Sequence, residues 1–428
     1  MPFDFQNATL DSIRNRFLNL TRIIDNHPAY LIMIYIAITV GLLLIHIAPY
    51  NYQMSSLIAF DTQFYDANST INPKASYKDM VVLDSGYDGQ FFYLIARKIY
   101  DPTFTNIRLD TYSMRMGRIG MSLIVGLPSL LMGWNHYALI SFILLQLLHI
   151  VSFLALKELL SNKNKYLSLI YLFSAFSLNS NLLLVSDSLM VSIVILSYYF
   201  LEKANFRLNS EKIDITNFRS PWFLIAFLCM CLLATIRETA LFALAPIGLL
   251  FLFRRSIMGT IFMLVPALLF IGWHVIVKFY FEDHPGLNPE PYSTKYSWPL
   301  LGFFQSLNFQ FDSIKMIGRE TSKYLNVAYL FLLLFSLRAI RSTVECILFS
   351  PIIFIILLSL VATSEYWQTF ANISRMFTLS VPVIIILADR IQKANFHYLF
   401  LLNIVFTILL WIRILWLTPI INYRVINL

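Results

Sequence analysis

Charge-free stretches of apolar residues recur along almost the whole chain. A bilayer core about 30 Å thick is crossed by roughly 20 mostly apolar residues in a helix, and most of these stretches approach that length. Lipid offers no partner to a free backbone polar group, and the chain has no long alternation of apolar and polar residues, so the stretches predict α-helices. We therefore expect an all-α, polytopic transmembrane helical bundle of about 11–13 helices, forming a single integral membrane domain over residues 1–428. The apolar windows are 29–48, 117–133, 138–156, 166–182, 188–201, 220–236, 239–253, 260–277, 324–337, 346–362, 376–388 and 398–417.

Two long stretches interrupt the apolar pattern and predict large loops. Residues 49–116 follow the first window, and residues 278–323 follow the eighth. The second stretch has three prolines within 285–291 and many aromatic residues, which is typical either of an interfacial belt or of a lid over a substrate. The window 29–48 is followed by further apolar windows and not by a small-residue cleavage site, so we expect a retained first span and not a signal peptide.

Basic residues are concentrated before the first window and in alternate loops after it. The positive-inside rule predicts that such segments lie on the cytoplasmic side. By this rule the loops 49–116 and 278–323 face outward. The basic residues are Arg14, Arg16 and Arg22; Arg207, Lys212 and Arg219; Arg254 and Arg255; Arg338 and Arg341; and Arg390 and Lys393.

The same rule leaves one crossing unassigned. Counting spans from the two ends of the chain places Asp187 on opposite sides, so one window between residues 117 and 201 does not cross. The window 166–182 is the first candidate because serines and asparagines weaken it. The window 117–133, which contains a glycine and a proline, is the alternative.

Composition agrees with a membrane protein and narrows its partners. Hydrophobic residues make up 58% of the chain and charged residues 13%, whereas an average soluble domain has roughly 25% charged residues. The formal net charge of +8 would suggest nucleic acid in a soluble protein, but here Lys and Arg lie mainly in loops, where they set orientation and meet anionic lipid. We expect the lipid bilayer as a partner and no nucleic acid. The three cysteines lie within apolar windows, as small core residues do, so we expect neither disulfides nor a zinc site.

A few charged residues lie inside or at the edges of the apolar windows. A charge in lipid costs about 2.5–3.5 kcal/mol on insertion scales, so each of these residues is a candidate for a functional site. Structural roles are the alternatives: an ion pair between helices for Arg237 and Glu238, helix capping for Asp187, and anchoring in the headgroups for Arg115 and Arg118. We expect the outward-facing charges to converge on one cavity. They are Asp88, Asp187, Arg237, Glu238 and Arg375.

The segment LDSGYDGQFFYLIAR, residues 83–97, places a carboxylate beside a membrane-seeking helix. Helical spacing over 89–99 separates a polar stripe from an apolar stripe, which predicts a short amphipathic helix in the membrane interface. Asp88 comes directly before this helix, and Gly86 and Gly89 allow close approach. Asp88 is therefore placed where a lipid phosphate and a water-borne acceptor could meet. The polar stripe is Gln90, Tyr93 and Arg97; the apolar stripe is Phe91, Leu94, Ile95 and Ile99.

Several short motifs occur together in a recognisable order. The stretch GYDGQFFYLIAR, followed by RLDTYSMRMGRIG, resembles the first outer loop of polytopic GT-C superfamily glycosyltransferases, particularly bacterial members with a YDGQFY pattern and relatives of the GPI mannosyltransferases. The segments SDSLM around Asp187, RETA at Arg237–Glu238 and NISRMF at Asn372–Arg375 follow in the order in which that group carries its other polar motifs.

The resemblance implies transfer of a sugar from a polyprenyl-phosphate donor to a glycan, lipid or protein acceptor on the outer side of the membrane. It implies Asp88 as the catalytic base. It also implies a multi-pass protein of a bacterial inner membrane, with the site facing the periplasm or exterior. The expected substrate-binding residues are Gln90, Arg115, Arg118, Asp187, Arg237, Glu238, Asn372 and Arg375.

Chemistry argued from the residues agrees with this resemblance. A sugar on a lipid phosphate has a good leaving group, so one carboxylate and a set of cations suffice for a single, inverting displacement. Asp88 supplies the carboxylate, and Arg115, Arg118 and Arg375 supply guanidinium groups that match phosphate oxygens. No cofactor is required, and a divalent cation at Asp88 and Asp187 stays open. The alternatives are a transporter or lipid flippase and, with related chemistry, a polymerase or ligase of lipid-linked glycans.

Overall fold

A computed structural model describes residues 27–206, 215–281, 296–309, 312–391, 396–417 and 421–426. The prolines within 285–291, the basic residues before the first window, and Arg207, Lys212 and Lys393 lie outside these described residues. The first part of the chain contains α1 (Pro28–Ile47), β1 (Phe60–Asp61), α2 (Thr62–Ile71), β2 (Met80–Leu83), α3 (Gly89–Tyr100), α4 (Tyr112–Met116), α5 (Gly120–Met132), α6 (Tyr137–Leu159), α7 (Ser168–Leu172), α8 (Ala175–Leu182) and α9 (Ser186–Lys203). The second part contains α10 (Pro221–Ile236), α11 (Leu241–Phe253), α12 (Ile257–Phe281), α13 (Leu301–Ser306), α14 (Ile314–Ser336), α15 (Thr343–Val361), α16 (Ser364–Gln368), α17 (Phe370–Phe377), α18 (Ser380–Ile391), α19 (Phe396–Ile412) and β3 (Tyr423–Ile426).

The predicted all-α membrane bundle is confirmed. Within the described ranges, six helices are long and apolar enough to cross a membrane. Five of them leave large apolar side chains on the outside of the protein, as lipid-facing helices do, whereas Phe370–Ile391 is mostly buried. The six are Pro28–Tyr50, Trp134–Leu159, Ile257–Phe279, Thr343–Val361, Phe370–Ile391 and Phe396–Trp416.

Local sequence signals explain where several helices begin. Pro221 opens α10 directly after Ser220, whose side chain accepts a hydrogen bond from the backbone of the first turn. Ser342 and Glu345 form a reciprocal capping box at the start of α15. Ser313 caps α14 well before the apolar window that predicted it, so this helix extends beyond the window at its N-terminal end.

A small sheet joins the C-terminal segment to the first loop. Strand β1 pairs with β2 in parallel, and β2 pairs with β3 in antiparallel register, with Met80 opposite Ile426 and Leu83 opposite Tyr423. The sequence patterns did not predict these short strands. Because α1 is the first crossing, β3 ends on the side of the membrane opposite to the start of α1. An odd number of crossings is therefore required, and twelve windows cannot all cross.

Its contacts point to 117–133 as the window that does not cross. Both of its ends lie beside groups of the loop side: Gly120 packs against Ile236 at the end of α10, and the Trp134 ring lies 6.4 Å from the ring of Tyr93 in α3. Helix α5 has only 13 residues, and is about 20 Å long, because the chain turns at Gly133, where φ is +101°. These contacts favour 117–133, the alternative window, over 166–182, the first candidate, as the one that does not cross.

The segment 166–182 does connect the two sides of the bundle. It is split into α7 and α8, and its polar residues are buried inside the protein, which offsets their cost in lipid. Just before it, Asn164 donates a hydrogen bond to Asp389 at the end of α18 (2.8 Å). Just after it, the carbonyl of Leu183 packs against Gly89 at the start of α3.

Helix α3 forms where the amphipathic pattern predicted it, but its surroundings differ from the expected ones. The polar stripe does not face water, because Gln90, Tyr93 and Arg97 are buried, and so are Phe91 and Leu94 on the other stripe. The first loop folds over the helix and satisfies these polar groups with protein partners. The loop therefore forms a packed cap on the bundle, and α3 lies inside it.

Candidate functional site

The charged residues singled out in the sequence come together at the loop-side ends of the helices. Asp88 stands at the N-terminal boundary of α3, and Arg115 lies in α4. Asp187 lies in the first turn of α9, Arg237 between α10 and α11, and Arg375 in α17. Five separate segments therefore meet at one place, as the cost of isolated charges in lipid predicts.

A continuous chain of ion pairs links these residues. The Asp88 carboxylate binds Arg115 through Oδ1 (2.9 Å) and Arg375 through Oδ2 (2.5 Å). The Nε of Arg375 also donates to Oδ2 of Asp187 (2.8 Å), and Oδ1 of Asp187 binds Arg237. Of the five residues expected to share one cavity, Arg237, Glu238 and Arg375 line the cavity described below, whereas Asp88 and Asp187 reach it only through their ion pairs with these arginines.

Two flanking pairs extend this chain. Arg115 binds the carboxylate of Asp110 through two nitrogens (2.8 and 2.6 Å), and Nε of Arg118 donates to both oxygens of Glu238 (2.9 and 3.0 Å). The pattern RLDTYSMRMGRIG contains Asp110, yet the sequence reasoning did not select it. The sequence offered one reason to select Asp110, its position five residues before Arg115. Ion pairs within a helix usually join residues three or four apart, so this spacing did not predict a pair.

The structural alternatives can now be compared with these contacts. Arg237 and Glu238 are neighbours in the chain but bind different partners, Asp187 and Arg118 respectively. Asp187 makes no helix cap, since both of its oxygens are engaged by arginines. Arg115 and Arg118 point toward carboxylates within the protein, so neither extends to the headgroups as a simple anchor.

The charges of the network balance. Each of its four arginines contacts at least one carboxylate, and each of its four carboxylates contacts at least one arginine. The site is therefore close to neutral in this arrangement. Within the described residues the Nε of Arg237 has no hydrogen-bond partner, and a phosphate that takes Arg375 from Asp88 or Asp187 replaces a carboxylate contact. The cations are Arg115, Arg118, Arg237 and Arg375; the anions are Asp88, Asp110, Asp187 and Glu238.

The electrostatic environment sets the basicity of Asp88. Burial by itself would raise the pKa of the Asp88 carboxyl, but the guanidinium groups of Arg115 and Arg375 outweigh burial and hold this pKa well below the usual range of an aspartate. A carboxylate with so low a pKa accepts a proton poorly. Asp88 can act as a general base only after at least one arginine has moved to another anion.

Tyr87 is a member of the site that the sequence reasoning did not select. Its hydroxyl donates to Oδ1 of Asn372 (2.7 Å), and the Arg375 guanidinium lies 5.6 Å from the centre of its ring. Asn372 in turn donates to the carbonyl of Glu365 (3.1 Å). The two residues hold Arg375 against Asp88. The available signal was the position of Tyr87, directly before Asp88 in the YDGQ motif.

Gln90 and Asn372, both expected to contact substrate, also make hydrogen bonds within the protein. Gln90 is buried, and its side-chain oxygen accepts a hydrogen bond from the backbone N–H of Asp61 (3.0 Å). This bond holds the turn at Gly86, where an added Cβ would lie 2.7 Å from Gln90 and from Asp61. Gln90 therefore fixes the loop that carries Asp88.

An amphipathic cavity of about 290 Å³ adjoins the network. Arg118, Arg237, Glu238 and Arg375 form its polar end. Asp88 does not line it and is connected to it through Arg375. Tyr296, from the second large loop, also borders the cavity, so this loop contributes to the site where it is described. The apolar wall includes Leu241, Phe242, Ile355, Leu358, Met376 and Leu379.

Metal-ligating side chains do not cluster in the part of the chain that the structure describes: no group of three or more His, Cys, Asp or Glu is found there. Asp88 and Asp187, the pair considered for a divalent cation, both bind Arg375. Comparisons with protein-family models, with curated proteins and with solved structures gave no match.

Proposed function

We propose that this protein is a membrane glycosyltransferase that moves a sugar from a polyprenyl-phosphate donor to an acceptor hydroxyl, with inversion at the anomeric carbon. The main support is that Asp88 lies within an arginine network at the polar end of an apolar cavity. One carboxylate and several guanidinium groups are the groups that such a displacement needs. The YDGQ motif around Asp88 and the RETA and NISRMF segments add the family resemblance.

The two ends of the cavity suit the two ends of a lipid-linked donor. Arg118, Arg237 and Arg375 can bind the phosphate through planar forks, which match phosphate oxygens better than an ammonium group does. The apolar wall suits an isoprenoid chain, since binding cavities are mostly apolar with a few directed polar groups. A free nucleotide sugar would leave that wall without a partner.

Donor binding and base activation are coupled in the proposed mechanism. The donor phosphate takes the Arg375 guanidinium from Asp88, and the pKa of Asp88 then rises because a positive neighbour is lost. The acceptor oxygen forms its bond to the anomeric carbon as the bond from this carbon to the phosphate oxygen breaks. The acceptor proton passes to the Asp88 carboxylate, and the bonding electron pair leaves with the polyprenyl phosphate. Arg375 and its neighbours stabilise the charge on this leaving group.

The proposed location is a bacterial inner membrane, with the site facing the periplasm or exterior. The acceptor is a glycan, a lipid or a protein. A divalent cation is compatible with the proposal only if Arg375 leaves the space between Asp88 and Asp187. A transporter or flippase for lipid-linked sugars is the second candidate, because the same amphipathic cavity could bind a lipid phosphate without any chemistry.

A transfer assay tests the proposal. Purified protein is supplied with a panel of radiolabelled polyprenyl-phosphate sugars and with candidate acceptors, and released polyprenyl phosphate and labelled product are measured. We expect release and product in equal amounts for at least one donor. Movement of an intact labelled donor across proteoliposomes, without release of polyprenyl phosphate, would instead favour the flippase.

A further inference from the structure

A second cleft, of about 450 Å³, lies on the loop side of the protein. It shares no lining residue with the cavity at Arg375. Tyr93 and Arg97 of α3 contribute to its floor, and Arg97 comes nine residues after Asp88, which is about 13 Å along the helix axis. The inference drawn from this cleft does not depend on the proposed function.

The floor of the cleft is held rigidly. Arg97 is only 1% exposed, and its guanidinium binds Asp101 through Nε and NH2 (2.7 and 2.6 Å). Its NH1 donates to the Tyr93 hydroxyl (2.6 Å) and to the carbonyl of Ser76 (2.9 Å). Four aromatic rings surround the same guanidinium at 4.5–5.6 Å. The floor is therefore preorganised and nearly neutral, since Asp101 balances Arg97.

The rim of the cleft is positively charged. Lys74 and Lys78 line it, and both side chains are exposed. Neither ammonium group has an ion-pair partner within the described residues. Since Asp101 already balances Arg97, the lining carries two uncompensated positive charges.

The walls add unused hydrogen-bond donors. The Tyr77 side chain is 5% exposed, and its buried hydroxyl has no hydrogen-bond partner within the described part of the chain. Asn135 supplies an exposed amide, whereas the Thr103 hydroxyl already donates to Asp101 (2.6 Å). A pocket that is rich in donors and positively charged favours an anion with several acceptor oxygens.

The cleft lies where the polar loop meets the lipid-facing surface. Trp134 lines it and also begins the span Trp134–Leu159. Immediately before this tryptophan, Leu131 is 79% exposed and Met132 is 63% exposed at the tip of α5. Tryptophan and exposed apolar residues in this arrangement are typical of the membrane–water interface.

We propose that this cleft binds a phosphate-bearing group at the membrane surface, with Lys74 and Lys78 as its cationic contacts. The volume of the cleft falls within the range of small-molecule sites, about 300–1,000 Å³. The phosphate is carried either by an anionic lipid, whose chains would cover Leu131 and Met132, or by a soluble phosphate ester.

Lipid retention distinguishes these two sources. The protein is reconstituted in nanodiscs of phosphatidylcholine containing a minor fraction of phosphatidylglycerol, and the lipids that stay bound after release are counted by native mass spectrometry. We expect selective retention of phosphatidylglycerol by the natural sequence. In the double variant Lys74→Gln/Lys78→Gln this affinity should fall roughly 25-fold, since each lysine near anionic lipid contributes about a fivefold factor.

Calorimetric titration of glycerol 1-phosphate into protein in purely neutral nanodiscs is the second arm. Binding in this arm that the double variant loses supports the cleft as a site for a soluble phosphate. The matched control is Lys315→Gln, which removes an exposed lysine from the start of α14 and should leave both measurements unchanged, whereas Lys78→Gln weakens binding. Equal retention by the natural sequence and the double variant, or no binding in either arm, overturns the proposal.

Discussion

Two buried arginine clusters lie at opposite ends of α3, and they differ in what holds their guanidinium groups. At the C-terminal end, Arg97 has one carboxylate, one hydroxyl, one carbonyl and four rings around it, all fixed by packing. At the N-terminal end, Asp88 and Asp187 each bind two arginines, and Arg375 binds both carboxylates. Because these ion pairs are shared, an incoming anion can take the place of one carboxylate at an arginine.

The two clusters also differ in whether a carboxylate is shared between arginines. The Arg97 guanidinium lines the second cleft, but Asp101, Tyr93, Ser76 and four rings hold it, and its carboxylate Asp101 binds no other arginine in the part of the chain that the structure describes. The Asp88 network borders a cavity through Arg375, so a phosphate can reach it. Depth of burial alone would have ranked Arg97 first, because it is the most enclosed arginine of the two clusters.

The largest expected effect comes from removing the Asp88 carboxylate at the N-terminal end of α3. Asp88→Asn should lower the rate of sugar transfer about 10²–10⁴-fold, because a general base contributes that much. Asp84 belongs to the same turn but is exposed, so Asp84→Asn is the matched control and should keep most of the activity. Initial rates with radiolabelled donor measure both. Equal activity of the two variants would mean that another group takes the proton.

A substitution at Arg97 should change the stability of the protein and not the rate of sugar transfer. Arg97→Leu leaves Asp101 buried without its partner and should lower the free energy of unfolding by about 3–5 kcal/mol. Thermal unfolding in detergent measures this loss. The double variant Arg97→Leu/Asp101→Asn should regain part of it, since the unpaired charge is gone. An unchanged unfolding temperature in Arg97→Leu would show that these contacts of Arg97 contribute nothing.

Arg375→Lys tests whether the shape of the guanidinium matters in the network around Asp88. Lysine keeps the charge but cannot bind Asp88, Asp187 and a phosphate through a fork. We expect kcat/KM for the donor to fall about tenfold or more, which is the value of one hydrogen bond to a charged group. A lysine variant with the kinetics of the natural sequence would make Arg375 a scaffold residue and leave Arg115 and Arg118 to hold the phosphate.

The smallest effect concerns pH. The pKa of Asp88 is depressed in the free protein, so its carboxylate stays ionised as pH falls, and kcat/KM should show no acid limb from Asp88 above about pH 4. In the donor complex the arginines bind phosphate, the pKa of Asp88 rises, and the acid limb of kcat should lie at higher pH. Acid limbs at the same pH in the kcat and kcat/KM profiles would contradict the proposed transfer of Arg375 from Asp88 to the donor phosphate. Asp84→Asn should alter neither profile.

Sequence patterns predicted what depends on local physics. Apolar windows gave the helical bundle, and the cost of charge in lipid identified Asp88, Asp187, Arg237 and Arg375 as residues that meet. The partner of each charge was not predictable, because pairing depends on how distant segments pack. Neighbours in sequence suggested a pair between Arg237 and Glu238, yet packing gave each a partner from another helix.

Two other differences have similar causes. The window 117–133 has the composition of a span, but the turn at Gly133 ends its helix after 13 residues, and both ends of this helix contact residues near the first loop. Tyr87 and Asp110 have ordinary sequence neighbourhoods, and only the folded loop brings them to Arg375 and Arg115. The second cleft was not predicted either, since its lining residues Lys74 and Trp134 come from different segments of the chain.

The small sheet has a consequence for how the protein is made. Strand β3 closes onto β2, and Arg424 binds Asp66 from 358 residues away in the sequence (2.7 Å). The first loop emerges early in synthesis, but its third strand is translated only after every membrane helix. The loop that carries Asp88 therefore completes its sheet only after α19 has been translated, so the Asp88 network should become ordered late in synthesis.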